Sequence, residues 1–156
     1  MPLTSITKNP STLTLTVVGD YAVPQRRLWD AFADARQLER FWGPAFAPAT
    51  FTRHEFRPGG RAEYFLSLPD GKRWTGSWKF TAVDPIRSFA ANDGDDNVED
   101  PNMPAGMTFT FEATPAGSRV TIVTRFSSVE AMEETIPGME EGLRSAMPQL
   151  DALLAE

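Results

Sequence analysis

The chain has no cysteine and a single histidine, His54. The first absence removes disulfides, thiolate metal sites and cysteine nucleophiles, and the second removes most zinc coordination schemes, so no metal site and no cofactor is expected. Basic charge is also scarce, with 15 Lys and Arg against 21 Asp and Glu in 156 residues and a formal net charge of −6. Such a balance gives no electrostatic footprint for a phosphate backbone or an anionic membrane, and nucleic acid is not an expected partner. No apolar run approaches the ~18 residues needed to cross a bilayer. Met1-Pro2-Leu3-Thr4 lacks the basic start and apolar stretch of a signal peptide. Asn9-Pro10-Ser11 fails as a glycosylation sequon because proline holds its middle position. The Gly-x-Ser-x-Gly elbow, the Gly-x-Gly-x-x-Gly fingerprint and the P-loop are missing too. Together these absences predict a cytoplasmic protein with no membrane insertion.

What is present is a change of rhythm. Thr50 to Phe126 alternates apolar and polar residues strand after strand, and from Ser127 a helical period runs to the C-terminus. The reading is α+β, a curved antiparallel sheet of about seven strands wrapped on a long C-terminal helix, with two short helices after the first strand. Residues 1–11 carry Pro2 and Pro10 without periodicity and are expected as a flexible leader, with residues 12–156 as one domain. A strand from Leu13 to about Val23 puts Leu13, Leu15 and Val17 on one face, and Pro24 suits the first turn of the helix that carries Leu28, Trp29 and Phe32. A second helix is expected from about Ala35 to Trp42. Strands Thr50–Arg57, Arg61–Leu68, Arg73–Val83, Arg87–Asn92, Met107–Ala113 and Arg119–Phe126 follow, with turns at Pro58-Gly59-Gly60, Pro69-Asp70-Gly71-Lys72 and Thr114-Pro115-Ala116-Gly117. Ser127 with Glu130 has the spacing of a capping box. Ile136-Pro137-Gly138 should interrupt the helix, after which Met139, Leu143, Met147, Leu150 and Leu154 mark one face of about 17 residues, with Pro148 kinking it near Arg144.

The strand parity also names an inner wall. Tyr64, Trp74, Trp78, Phe80, Phe109 and Phe111 fall on one side, interleaved with Ala62 and Gly76. Gly142 and Ala146 thin the helix opposite, so the same wall either packs solid or encloses a pocket. Met107, Met139 and Met147 would let such a pocket adapt to its guest. His54, in step with Thr52 and Phe56, faces inward either as a satisfied core histidine or as a ligand contact or base. Its only acid/base partners would be carboxylates such as Glu133 and Glu140 of the last helix. The acidic stretch Asp93 to Asp100 begins like a calcium loop at Asp93, Asp95 and Asn97. It fails at Val98 and Pro104, where glycine and a bidentate glutamate are required.

Several short motifs narrow the reading. Phe41-Trp42-Gly43-Pro44, Arg57-Pro58-Gly59-Gly60, Pro69-Asp70-Gly71, Val83-Asp84-Pro85 and Met139-Glu140-Glu141-Gly142 occur in order over about residues 12 to 155. The set resembles the Hsp90 ATPase activator homologue 1-like family, in its single-domain bacterial form, within the SRPBCC or START and Bet v 1-like superfamily. The resemblance implies a helix-grip fold and the hydrophobic-ligand binding usual in that superfamily. An Hsp90-type chaperone and a stress-response role are the other implications. The co-chaperones that name the family carry a further N-terminal domain for chaperone binding, which is not expected in these 156 residues.

The expected function is therefore binding of a small hydrophobic or aromatic molecule between sheet and C-terminal helix. The contacts expected are His54, Tyr64, Trp74, Trp78, Phe80, Phe109, Phe111, Met139, Leu143 and Met147, with no residue assigned as catalytic. Two alternatives stand beside it: a cyclase- or isomerase-type enzyme using His54 as acid/base, and an Hsp90-type co-chaperone. A monomer and a homodimer are equally compatible with the sequence.

Overall fold

The structure is a computed structural model in which residues 3–43, 46–93, 106–126 and 128–156 are described. Its elements are β1 (Leu3–Asn9), β2 (Thr14–Tyr21), α1 (Gln25–Ala33), α2 (Ala35–Leu38), β3 (Ala49–His54), β4 (Arg61–Ser67), β5 (Arg73–Asp84), β6 (Ser88–Asp93), β7 (Gly106–Thr114), β8 (Gly117–Arg125) and α3 (Val129–Leu154). The eight strands form one antiparallel sheet in the order β1-β2-β8-β7-β6-β5-β4-β3. The β3–β4 and β4–β5 connections follow from their turn residues. Gly59 and Gly71 sit at φ 82° and 85°, where a side chain would be strained. This is the α+β helix-grip architecture, with α1 and α2 after β2 and the long α3 last.

Four expectations need correction. The sheet has eight strands rather than about seven, because Leu3–Asn9, read as part of a flexible leader, pairs with β2 from Leu3↔Gly19 to Asn9↔Thr14. Nothing in that segment's own periodicity marks a strand; hydrogen bonding to β2 and the packing of Ile6 against the core make it one. Residue 13 lies outside β2, at a positive φ of 58°. The second short helix ends at Leu38, and Arg40, Phe41 and Trp42 continue as hydrogen-bonded turns.

The fourth correction concerns α3. It is continuous over 26 residues and contains both Pro137 and Pro148, instead of breaking at 136–138. Each proline removes one backbone donor and crowds the carbonyl four residues earlier. Pro137 and Pro148, with Glu133 and Arg144 one turn before them, are all exposed, so the freed carbonyls lie on the water side of the helix. The N-cap is Ser128, whose hydroxyl accepts from the Ala131 amide at 3.1 Å. Ser127, Pro44 and the acidic stretch from 94 to 105 lie outside the described residues.

The edge strand β3 is covered by α2. Arg36 donates to the Phe51 carbonyl at 2.9 Å, and the Phe51 amide donates to Glu39 at 3.0 Å, so these groups are occupied. Inward residues of β2, β8, β7 and β6 (Leu15, Val17, Val120, Ile122, Phe109, Phe111, Phe89) form one core with Leu28, Trp29 and Phe32 of α1. At its two ends α3 closes this core, through Ala131, Met132 and Ile136 on one side and Met147, Leu150, Leu153 and Leu154 on the other.

Candidate functional site

The interior has a solid half and a hollow half. The solid half lies against α1, where aromatic rings touch in every direction. Phe89 stacks on Phe109 at 4.3 Å between centroids, Phe111 meets Trp29 at 5.2 Å and Phe32 at 5.3 Å, and Phe56 meets Phe80 at 5.1 Å. Edge-to-face and offset pairs of this kind fill volume efficiently. The hollow half lies under the middle of α3. From Pro137 to Ser145 no residue of the helix is buried, and an added Cβ at Gly138 or Gly142 would meet nothing within 4 Å. Two glycines leave the helix without the side chains that would otherwise reach the sheet.

The resulting cavity has a volume of about 470 Å³. Its floor comes from the sheet: Val17 of β2, Ile122 and Thr124 of β8, Met107 of β7, Ala91 of β6, Trp74 and Trp78 of β5, and Tyr64 and Leu66 of β4. Its roof is Thr135, Gly138, Met139, Gly142, Leu143, Ala146 and Met147, and Phe32, Phe41 and Trp42 close one side. Among the described residues no charged side chain lines it.

Two contacts shape the aromatic wall. Tyr64 and Gly76 are opposite each other across β4 and β5, and a Cβ on Gly76 would lie 2.5 Å from both Cζ and the hydroxyl of Tyr64. The tyrosine lies over the space that only glycine leaves open. Burial raises the Tyr64 pKa above the ordinary phenol value, while the hydrogen bond from the Trp42 side chain acts in the opposite direction, so the phenol stays neutral. Trp78 packs against Trp42 at 5.0 Å and Tyr64 at 5.4 Å. At the roof, the Tyr21 hydroxyl donates to the Met147 sulfur at 3.0 Å; burial, then the nearby Asp151 charge, keeps this phenol protonated as well.

Of the expected contacts, Tyr64, Trp74, Trp78, Met139, Leu143 and Met147 come together around the cavity, and Trp74 is 44% exposed. Phe80, Phe109 and Phe111 do not line it; they are 1%, 1% and 2% exposed and belong to the solid half. His54 does not line it either. Its Nε2 lies 3.1 Å from the carbonyl of Ala33, the last residue of α1, and a carbonyl only accepts, so Nε2 carries the proton. The ring stacks on Phe56 at 5.4 Å and meets Phe80 edge-on at 5.6 Å. Burial lowers its pKa below 6.5, against the raising effect of the Ala33 and Phe32 backbone and Asp34. His54 is a half-buried histidine at a helix end, away from the cavity lining, so an acid/base role in the cavity has lost its residue.

Sequence reasoning missed Val17, Phe41, Trp42, Leu66, Ile122, Thr124 and Thr135 as wall residues. For Ile122 and Thr124 the signal was present, since Val120, Ile122 and Thr124 alternate inward on β8. Trp42 gave no such signal, because it stands in a turn after α2 with no period to assign its direction.

A profile of the family described as Activator of Hsp90 ATPase homolog 1-like protein matches residues 22–155. The chain belongs to this family. Protein Ms6760 of Mycobacterium smegmatis is 41% identical with a TM-score of 0.86, covering 99% of this chain and 98% of its own. A protein from Arthrobacter aurescens is 35% identical with a TM-score of 0.85, covering 97% of this chain and 91% of its own. An AHSA1-like protein from Aeromonas hydrophila, 16% identical with a TM-score of 0.72 over 92% of this chain and 95% of its own, shares the fold. No match is found among curated proteins. Among the described residues of this family member, no helix is long and apolar enough to cross a membrane, and no cluster of three or more His, Cys, Asp or Glu could hold a metal ion.

Proposed function

We propose that this chain binds a small, uncharged, mainly apolar molecule in the cavity between the sheet and the middle of α3. The observation that carries the reading is a hollow of about 470 Å³ in an interior that is otherwise filled with aromatic rings, with no charged side chain on its walls among the described residues. A carboxylate or ammonium entering such a space would lose its hydration without a counter-charge. Burying about 200 Å² of apolar guest surface is worth ~5 kcal/mol at ~25 cal/mol per Å² before association costs, which places affinity in the weak to moderate range. Trp74, half in water and half on the cavity wall, stands at its rim and would report binding by its fluorescence. Native mass spectrometry of the protein purified from its own host should show a retained neutral small molecule. If neither a co-purified species nor any added neutral aromatic, sterol or polyketide binds, the reading is wrong.

Among the described residues, the exposed apolar side chains do not by themselves favour the chaperone association in the family name. The large apolar side chains exposed among the described residues are Phe46, Trp74 and Val129, each on a different part of the chain.

A further inference from the structure

The wall of the cavity holds one hydrogen-bond donor whose needs are unmet. Trp78 lines the cavity and is 5% exposed, and its indole nitrogen is buried with no hydrogen-bond partner among the described residues. The indole N–H can only donate, so an acceptor must come to it. Its neighbours do not supply one: Phe51, Phe80, Trp42 and Tyr64 surround the ring, and Trp42 already directs its own hydrogen bond to Tyr64. Buried side-chain donors without partners are rare in folded proteins, and one on a residue that lines a hollow calls for a partner.

We propose that Trp78 is the residue that reads the guest, selecting neutral molecules that carry a carbonyl, ether or ring-nitrogen acceptor over hydrocarbons of the same shape. The inference rests on the cavity reading above and adds a chemical class to it. The nitrogen is covered by its neighbours, so a guest must displace one of them to reach it. Met107, Met139 and Leu143 are half-buried side chains on the same cavity, and they can swing aside without breaking a backbone bond. A hydrocarbon can occupy the hollow without this displacement but leaves the donor unmet.

Fluorenone and fluorene, planar tricycles that differ in one carbonyl oxygen, test the proposal. Equilibrium dialysis should show fluorenone binding about three- to tenfold tighter than fluorene, the range expected for one net hydrogen bond. Trp78→Phe, which keeps an aromatic ring and removes the donor, should bring the ratio to about one. If that variant does not fold, the assigned Trp78 indole resonance in the wild-type protein decides instead, moving downfield with fluorenone and not with fluorene. Equal binding of the two compounds by the wild type, or a preference that survives in Trp78→Phe, overturns the role of Trp78 and leaves the cavity reading standing. Failure of both compounds to bind overturns the role of Trp78, and the cavity reading falls with it only if native mass spectrometry and the wider set of neutral guests are empty too.

Discussion

Replacing Gly142 by leucine should make the protein more stable and its cavity less able to hold a guest. Gly142 lies inside α3 on the cavity wall, and an added Cβ would meet nothing within 4 Å. Removing a glycine from a helix interior gains about 1 kcal/mol. Burying a leucine side chain in apolar surroundings gains about 1.5–3 kcal/mol, from which rotamer freezing takes back about 0.5–1 kcal/mol. The open rim reduces the burial term, so a net gain of about 2 kcal/mol is expected, or ~4–8 °C in Tm for a domain of this size. The sign is what matters. In a filled interior the same small-to-large change would cost about 1–3 kcal/mol. Thermal unfolding followed by circular dichroism measures the stability, and dialysis against fluorene measures the guest. A fall in Tm, or a rise with guest affinity unchanged, would refute the claim that the space beneath Gly142 is both empty and the binding site.

Gly76→Ala should destabilise by about 1–3 kcal/mol in urea titration, because its Cβ would lie 2.5 Å from the Tyr64 ring and force that ring off its strand; an unchanged midpoint would mean Tyr64 has somewhere else to go. Leu150→Ala, at a position 0% exposed, should cost about 2–5 kcal/mol, and a cost under 1 kcal/mol would show that the C-terminal half of α3 is not the anchored half. His54 gives a pH dependence. Its folded pKa lies below the 6.5 of the free side chain, so the unfolded chain takes up a proton first. The contribution of His54 to stability is therefore complete above about pH 6.5 and is lost as pH falls from there through the lower folded pKa. Urea midpoints between pH 7.5 and 5 should decline less steeply in His54→Gln, which can still donate to the Ala33 carbonyl; identical slopes would show that the imidazole is not desolvated.

Much of the fold was legible because its signals are local. Arg73 to Phe80 declares its faces by strict alternation, and Gly59 and Gly71 stand where the turns need positive φ. Six of the ten expected contacts do surround the cavity, since inward parity on β4 and β5 and helical spacing on α3 both point there. The misses share a cause. Phe80, Trp78 and Trp74 stand on the same face of β5, and their parity is identical. Only what stands above each one separates them: the rings of His54, Phe56 and Phe89 around Phe80, the thinned middle of α3 over Trp78 and Trp74. His54 likewise reads as inward, but that it ends against the Ala33 carbonyl depends on where α1 stops in space.

By itself the amino-acid order determined the strands, most of the turns, the terminal helix and the set of side chains that turn inward, because period and turn chemistry act over a few residues. Tertiary structure decided the rest: that Leu3–Asn9 joins the sheet, that α3 runs unbroken through two prolines, and that one half of the interior fills while the other stays hollow. These outcomes turn on how closely separate elements approach one another. That distance is fixed by the whole set of packed side chains and by no single stretch of sequence.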